Sequence, residues 1–244
     1  MNQYIQKLIE MTKPQATTEP PQETGVPQPP LELPIAAEAA LIALPPPGEL
    51  RMPEIELRAA IEGRRSLRRY QEQPLSLEEL SYLLWLTQGV KEITRRPATL
   101  RTVPSAGARH AFETLLLVNR VDGLEPGLYR FAASQHALLR LDMPANIAQQ
   151  VYEGCYEQGQ VQNSAVTFLW VAVSERMTWR YTERGFRYLL LDAGHVCQNL
   201  YLAAEALGCG VCAIAAYDDD RLNQVLSLDG DSQWVIYVAS LGKR

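Results

Sequence analysis

Lysine is nearly missing from this chain. Only Lys7, Lys13, Lys91 and Lys243 are lysine among 23 basic residues, and the rest are arginine. Basic residues are also outnumbered, 23 against 28 acidic, for a net charge of −5. A general nucleic-acid or membrane-surface role is disfavoured, because both need a basic excess. Long apolar runs are absent. The run Ala165–Val173 falls well short of the ~20 residues a bilayer-spanning helix requires. The opening MNQYIQKLIEM is broken by Gln, Lys and Glu and lacks the apolar stretch of a secretory signal. These absences predict a cytoplasmic protein, in which Cys155, Cys197, Cys209 and Cys212 are reduced thiols. Zinc is disfavoured too. His195 and Cys197, two apart on a predicted helix, point to different faces, and no catalytic Glu accompanies Cys209-x-x-Cys212.

Proline is present, but unevenly. Eleven of 16 prolines lie at or before Pro53. Residues 1–48 therefore read as a Pro-rich N-terminal arm, extended except for a short helix near Tyr4–Met11. Residues 49–244 read as one globular domain. Helical spacing predicts helices over Glu54–Glu62, from the capping box at Ser76 to Gly89, over Pro144–Tyr156 and over Phe186–Leu207, with a short helix capped by Asp218. Strands are predicted at Thr114–Asn119, Gly127–Phe131, Ala137–Leu141, Val166–Ser174, Val211–Ala215 and Trp234–Ala239. Strands and helices interleave while two strands form a hairpin, so the fold class is α+β.

The stretch Gly63-Arg-Arg-Ser-Leu-Arg-Arg-Tyr70 packs four arginines into six positions of an acidic chain. It follows a predicted helix end, where backbone N–H groups, guanidiniums and a hydroxyl can converge on an anion. The alternative is a solvated basic loop.

Six stretches, in order, resemble the flavin-dependent nitroreductase superfamily, and more narrowly its SagB/ThcOx-type dehydrogenases. They are Arg64–Arg68, Pro104–His110, Gly123–Tyr129, Glu183–Tyr188, Asp192–His195 continuing to Ala203–Gly208, and Tyr217–Asp220. The resemblance covers about residue 50 to the C-terminus. It implies a nitroreductase-like FMN-binding fold with a mixed or antiparallel sheet flanked by helices, as an intertwined homodimer. It implies FMN as cofactor, with Arg64, Arg65 and Ser66 near its phosphate and ribityl chain and Arg68 at the pyrimidine edge. Pro104, Ser105, Ala106 and Gly107 correspond to the loop along the flavin. Ala108 stands where many members carry Asn, so no side-chain bond is carried over there. Ala215 and Ala216 correspond to the backbone facing N5 and O4, and Lys243 and Arg244 to basic residues near the phosphate.

One departure matters. Azoline oxidases of this family carry a Lys-Tyr pair where this chain has Arg180-Tyr181. Arginine is a poor proton acceptor, which leaves Tyr181 as the candidate acid or base. The resemblance implies an FMN-dependent oxidoreductase passing hydride through N5, oxidising azolines in a modified peptide. An alternative is an NAD(P)H-dependent nitro or quinone reductase. A reading of another class is a flavin-free scaffold or docking subunit working through its arm. Asp192, His195 and Asn199 form one polar helix stripe, read as satisfied buried polar groups in preference to a proton relay. Trp170 and Trp234 read as core, and Trp179 as a pocket neighbour.

Overall fold

Alternating side chains and helix caps assemble seven antiparallel strands with helices on both faces. The computed structural model describes residues 2–244. Its strands are β1 (Leu41–Ala43), β2 (Val90–Ile93), β3 (Thr99–Arg101), β4 (Phe112–Val118), β5 (Gly127–Ala132), β6 (Ala137–Arg140), β7 (Val166–Val173), β8 (Cys209–Ile214) and β9 (Gln233–Lys243). Its helices are α1 (Gln3–Met11), α2 (Leu57–Gly63), α3 (Leu77–Gln88), α4 (Ile147–Gly154), α5 (Gly159–Asn163), α6 (Ser174–Tyr181), α7 (Gly185–Ala206) and α8 (Asp219–Val225). The large sheet runs β1-β6-β5-β4-β7-β9-β8, and each neighbouring pair is antiparallel. β2 and β3 pair separately.

β4 and β7 are buried at every position because both faces of the sheet are covered. Successive side chains point to opposite faces. Phe112, Leu116 and Val118 join the core beneath α3 and α7, and Leu115 and Leu117 join the core beneath α4 and α8. α3 starts where the sequence says it should. Ser76 Oγ accepts from Glu79 N at 3.1 Å, and Glu79 Oε2 accepts from Ser76 N at 3.0 Å. α7 turns Leu189, Ala193, Val196, Leu200 and Ala203 toward the sheet. Gly208 then takes a left-handed φ of +61° that ends the helical path.

Several boundaries move from their predicted places. The first domain helix begins at Leu57, not Glu54, and Glu56 offers it no side-chain cap. β9 runs on to Lys243, past Ala239, because it pairs with β7 on one side and β8 on the other. α5, α6, β1 and the β2–β3 hairpin are short elements that the sequence expectations do not include.

The N-terminal arm lies along its own domain, held through main-chain atoms. Arg184 Nη1 donates to Thr12 O at 2.9 Å, and Arg187 Nη2 donates to Ile9 O at 2.8 Å, so two guanidiniums cap the end of α1. Gln22 N donates to Trp179 O, and Trp179 Nε1 donates to Val26 O. Further on, Arg176 Nε donates to Pro30 O, Leu33 N donates to Glu113 Oε1, and Arg130 Nη2 donates to Pro34 O. Arg176 also pairs with Glu113 at 2.6 Å, both side chains 3% exposed. β1, at the end of the arm, joins the sheet beside β6.

Candidate functional site

The predicted residues fall into two groups along α7. At its C-terminal half, Ser66 forms a parallel bridge with Val211, and Leu67 N donates to Val211 O at 2.9 Å. The arginine stretch is thus pinned to β8, an edge strand. Glycines allow that contact. A side chain at Gly210 would collide with Leu67, and one at Gly242 would collide with Tyr70. Ser66 Oγ lies 2.9 Å from Tyr201 Oη, which accepts from Ala213 N at 2.9 Å. Arg64 stands over the Tyr201 ring at 5.2 Å. Arg64, Arg65 and Arg68 have no carboxylate partner among the described residues, and Arg65 and Arg68 are exposed.

The other predicted basic residues are already engaged. Lys243 Nζ pairs with Glu79 and donates to Leu207 O at 3.2 Å. Arg244 pairs with Glu205. Ala215 and Ala216 are exposed just beyond β8, and Ala216 O accepts from Gln158 Nε2 at 2.7 Å.

The second group gathers at the N-terminal half of α7. Asp192 and Tyr201 are nine residues apart, about 14 Å along the helix axis at 1.5 Å per residue. Asp192, 4% exposed, accepts from Ala106 N at 3.3 Å. Burial raises its pKa, against the lowering effect of bonds from Ser105 and Ala106. Gly107 has φ +55°, and a Cβ there would collide with Tyr181 Oη and sit 3.3 Å from Arg180 Cδ. Gly107 is therefore brought against Arg180 and Tyr181, while Ala106 of the same loop meets Asp192 and Ser105 Oγ accepts from His110 N. The Arg180 guanidinium lies over the Tyr181 ring at 5.6 Å, and that ring meets Tyr188 edge-on at 4.8 Å. Tyr181 Oη has no hydrogen-bond partner among the described residues and is not sealed from solvent.

This group contains left-handed backbone, as do His136, Tyr156, Glu157 and Ser227 elsewhere. Gly107, Ala108 and His110 take φ of +55°, +53° and +41°, and Thr182, next to Tyr181, takes +48°. Left-handed non-glycine residues persist only where their surroundings hold them, and they cluster at functional sites. His110 is 5% exposed, and burial together with Arg101 and Arg109 pushes its pKa down to about 3.

Arg109 is the residue that sequence reading missed. Its Nε donates to Gly107 O at 3.1 Å, and its guanidinium lies over the Trp179 ring at 5.4 Å. One arginine after a turn carries no signal until the chain folds back on itself. The polar stripe resolves residue by residue. Asp192 holds Ala106, Asn199 Nδ2 donates to Leu86 O at 2.8 Å, and His195 is exposed. Trp170 is fully buried and Trp234 partly so. All four cysteines are buried and free. Cys209 and Cys212, three apart on β8, face opposite sides of the sheet. No helix of the described residues is long and apolar enough to cross a membrane.

Residues 61–243 match the family described as the nitroreductase family. A protein of Methanocaldococcus jannaschii named as a nitroreductase is 33% identical over 183 residues, 74% of this chain and 90% of that protein. The trifolitoxin-processing protein TfxB of Rhizobium leguminosarum bv. trifolii is 27% identical over 64% of this chain, which spans 44% of that protein. Among solved structures, one named for a nitroreductase of Anabaena variabilis superposes with a TM-score of 0.68 at 27% identity, over 85% of this chain and 42% of that one. The Escherichia coli microcin synthetase McbBCD complex with truncated pro-MccB17 gives a TM-score of 0.63 at 18% identity, covering 100% of this chain, arm included, and 94% of that one.

Proposed function

The chain belongs to the nitroreductase family of oxidoreductases, and on that premise we propose that it is an FMN-dependent oxidoreductase. One observation carries the reading. Arg64, Arg65 and Arg68 flank the Ser66 hydroxyl beside the edge strand β8, with no carboxylate among the described residues to neutralise them. That donor set suits a phosphate dianion. Arg64, Arg65 and Ser66 would hold the phosphate, and Arg68 the pyrimidine edge. Lys243 and Arg244 would stand near the phosphate with their charge already shared with Glu79 and Glu205, and so contribute less. Ala215 and Ala216, and the Pro104–Gly107 loop, would offer backbone to the ring. Bound FMN would supply two-electron hydride chemistry at N5, which no protein side chain provides. Tyr181 would give or take the proton beside it, and Arg180 would hold the Tyr181 ring in place.

A homodimer fits the surface. Phe186, Leu190 and Leu191 are exposed on one side of α7, and Ile55, Leu57 and Ile61 are exposed at α2. α1 exposes Tyr4, Ile5, Leu8 and Ile9 and buries nothing. Such apolar area marks an interaction face, and a second copy would cover it. It would also bring one protomer's arginine stretch toward the other's Gly107 loop, joining groups that α7 holds apart.

The relatives named for nitroreductases, for trifolitoxin processing and for a microcin synthetase support two readings. The substrate we propose is either an azoline in a modified peptide or a nitroaromatic or quinone reduced with NAD(P)H. Arginine at position 180, where the azoline oxidases carry Lys, favours the second. The protein is read as cytoplasmic, with no nucleic-acid or membrane partner. The test is to purify the chain, record its visible spectrum and identify any released cofactor. FMN near one per chain, a dimer by sedimentation, and ~10–100-fold weaker FMN binding in Arg64→Ala are expected. A colourless chain that takes up no added FMN refutes the reading and leaves a scaffold role.

A further inference from the structure

Next to Tyr181 lies a positive site that nothing in the proposed flavin contacts uses. Arg109 is 7% exposed, yet only its Nε is bonded, to Gly107 O. Its Nη1 and Nη2 have no partner among the described residues, and they are not sealed from solvent. Arg180 approaches the same glycine, with Cδ 3.3 Å from where a Gly107 Cβ would stand, and makes no side-chain hydrogen bond or ion pair. Arg96 projects from the turn between β2 and β3, exposed and also unpaired. Arg180 and Arg96 sit close enough to lower the pKa of Arg109 further, after burial has lowered it.

No carboxylate pairs with these cations among the described residues. Asp192 is engaged by Ala106 N, Glu183 by Thr18 of the arm and Glu113 by Arg176, while Glu92 of β2 and Glu175 of α6 are exposed and form no ion pair. Half-buried cations without a counter-ion are costly and are ordinarily paired. The guanidinium that reaches deepest is also the one most firmly aimed. Gly107 O fixes its Nε edge, the Trp179 ring fixes its face, and Trp179 is itself tied to Val26 of the arm. The free edge of that planar fork is left to bind, and a fork of N–H donors matches the two oxygens of a carboxylate or phosphate.

We propose that Arg109, with Arg180, forms an oxyanion subsite beside Tyr181 that takes the carboxylate or phosphate of a substrate or electron donor. The assignment rests on reading the Gly107–Tyr181 group as the reaction site. It narrows the substrate to one carrying an anionic group, or the donor to one carrying an accessible phosphate. Arg180, in place of lysine, then serves binding as well as the Tyr181 ring.

Two matched probe pairs test this on the full-length chain. NADPH against NADH isolates a phosphate, and 4-nitrobenzoate against 4-nitrobenzamide isolates a carboxylate. Dissociation constants come from equilibrium dialysis, and the FMN content of each sample from absorbance. The wild-type chain is expected to prefer the more anionic member of one pair by about tenfold or more. Arg109→Gln should bring that preference near unity and leave the less charged member's affinity unchanged. Arg109→Lys should retain part of it. The pair that responds identifies the source of the oxyanion. Should Arg109→Gln fail to fold, Arg180→Gln on α6 should still cut the preference severalfold. No charge preference in either pair, or one that survives in Arg109→Gln, overturns the subsite. A wild-type chain without FMN that keeps the preference defeats the redox reading and leaves the subsite standing.

Discussion

Tyr181 stands against Gly107 in the space any side chain there would need. The contact joins the end of α6 to the loop before β4, and Asp192 of α7 pins the same loop one residue earlier. The loop and two successive helices that follow it much later in the chain thereby fix one tyrosine hydroxyl, without a hydrogen bond among the described residues, at one glycine.

Gly107→Ala tests that contact. The new methyl must displace Tyr181, and φ +55° is strained for alanine. A stability loss of about 1–3 kcal/mol is expected in urea unfolding. Turnover should fall by more than the unfolded fraction explains. Unchanged turnover and unfolding midpoint would show that Tyr181 moves freely.

Tyr181→Phe separates chemistry from packing. The ring keeps its edge-on contact with Tyr188 and loses only the hydroxyl. Stability and FMN content should hold while kcat drops by ~10²-fold or more, the usual worth of a positioned proton donor. An unaltered kcat removes Tyr181 from the reaction.

Glu113→Gln probes the buried pair beneath the arm. It leaves the Arg176 guanidinium, 3% exposed, without its counter-charge, at a cost of about 3–5 kcal/mol. Glu113 also accepts from Leu33 N, so cleavage of residues 30–34 by protease should accelerate. A loss under about 1 kcal/mol would mean that water reaches the pair.

His110 gives acid sensitivity a specific source. It is neutral when folded, with its pKa pushed down to about 3 from 6.5. Between those values the unfolded chain binds a proton that the folded chain does not. Its contribution is present above pH 6.5 and is lost as pH falls toward 3, at up to about 1.4 kcal/mol per pH unit. Unfolding free energies of His110→Gln measured from pH 7 to pH 4.5 should show a shallower slope than wild type. Equal slopes would assign the acid limb elsewhere.

Arg187→Ala loosens α1 alone. The bonds to Ile9 O and Thr12 Oγ1 disappear, while no core residue changes. Hydrogen exchange should quicken at Gln3–Met11 and stay level in β4 and β7. Faster exchange throughout would make α1 part of the global fold.

The sequence by itself determined what depends on neighbours along the chain. The Ser76–Glu79 cap, the period of α7, the Gly208 stop and the apolar run of β7 are local chemistry, and each is found in the structure. It also supplied the order of stretches that marks the nitroreductase family. The shortest segments, such as α5 and β1, take their form from packing, and no residue-by-residue preference announces them. The tertiary structure decided which groups meet. It set the arginine stretch on β8 and the Gly107 loop against Tyr181. It engaged Lys243 and Arg244 with Glu79 and Glu205, and aimed Arg109 past Trp179. Those contacts join residues tens to more than a hundred positions apart. Their pairing follows from the sheet order and from the path of the arm, which chain-local preferences do not encode.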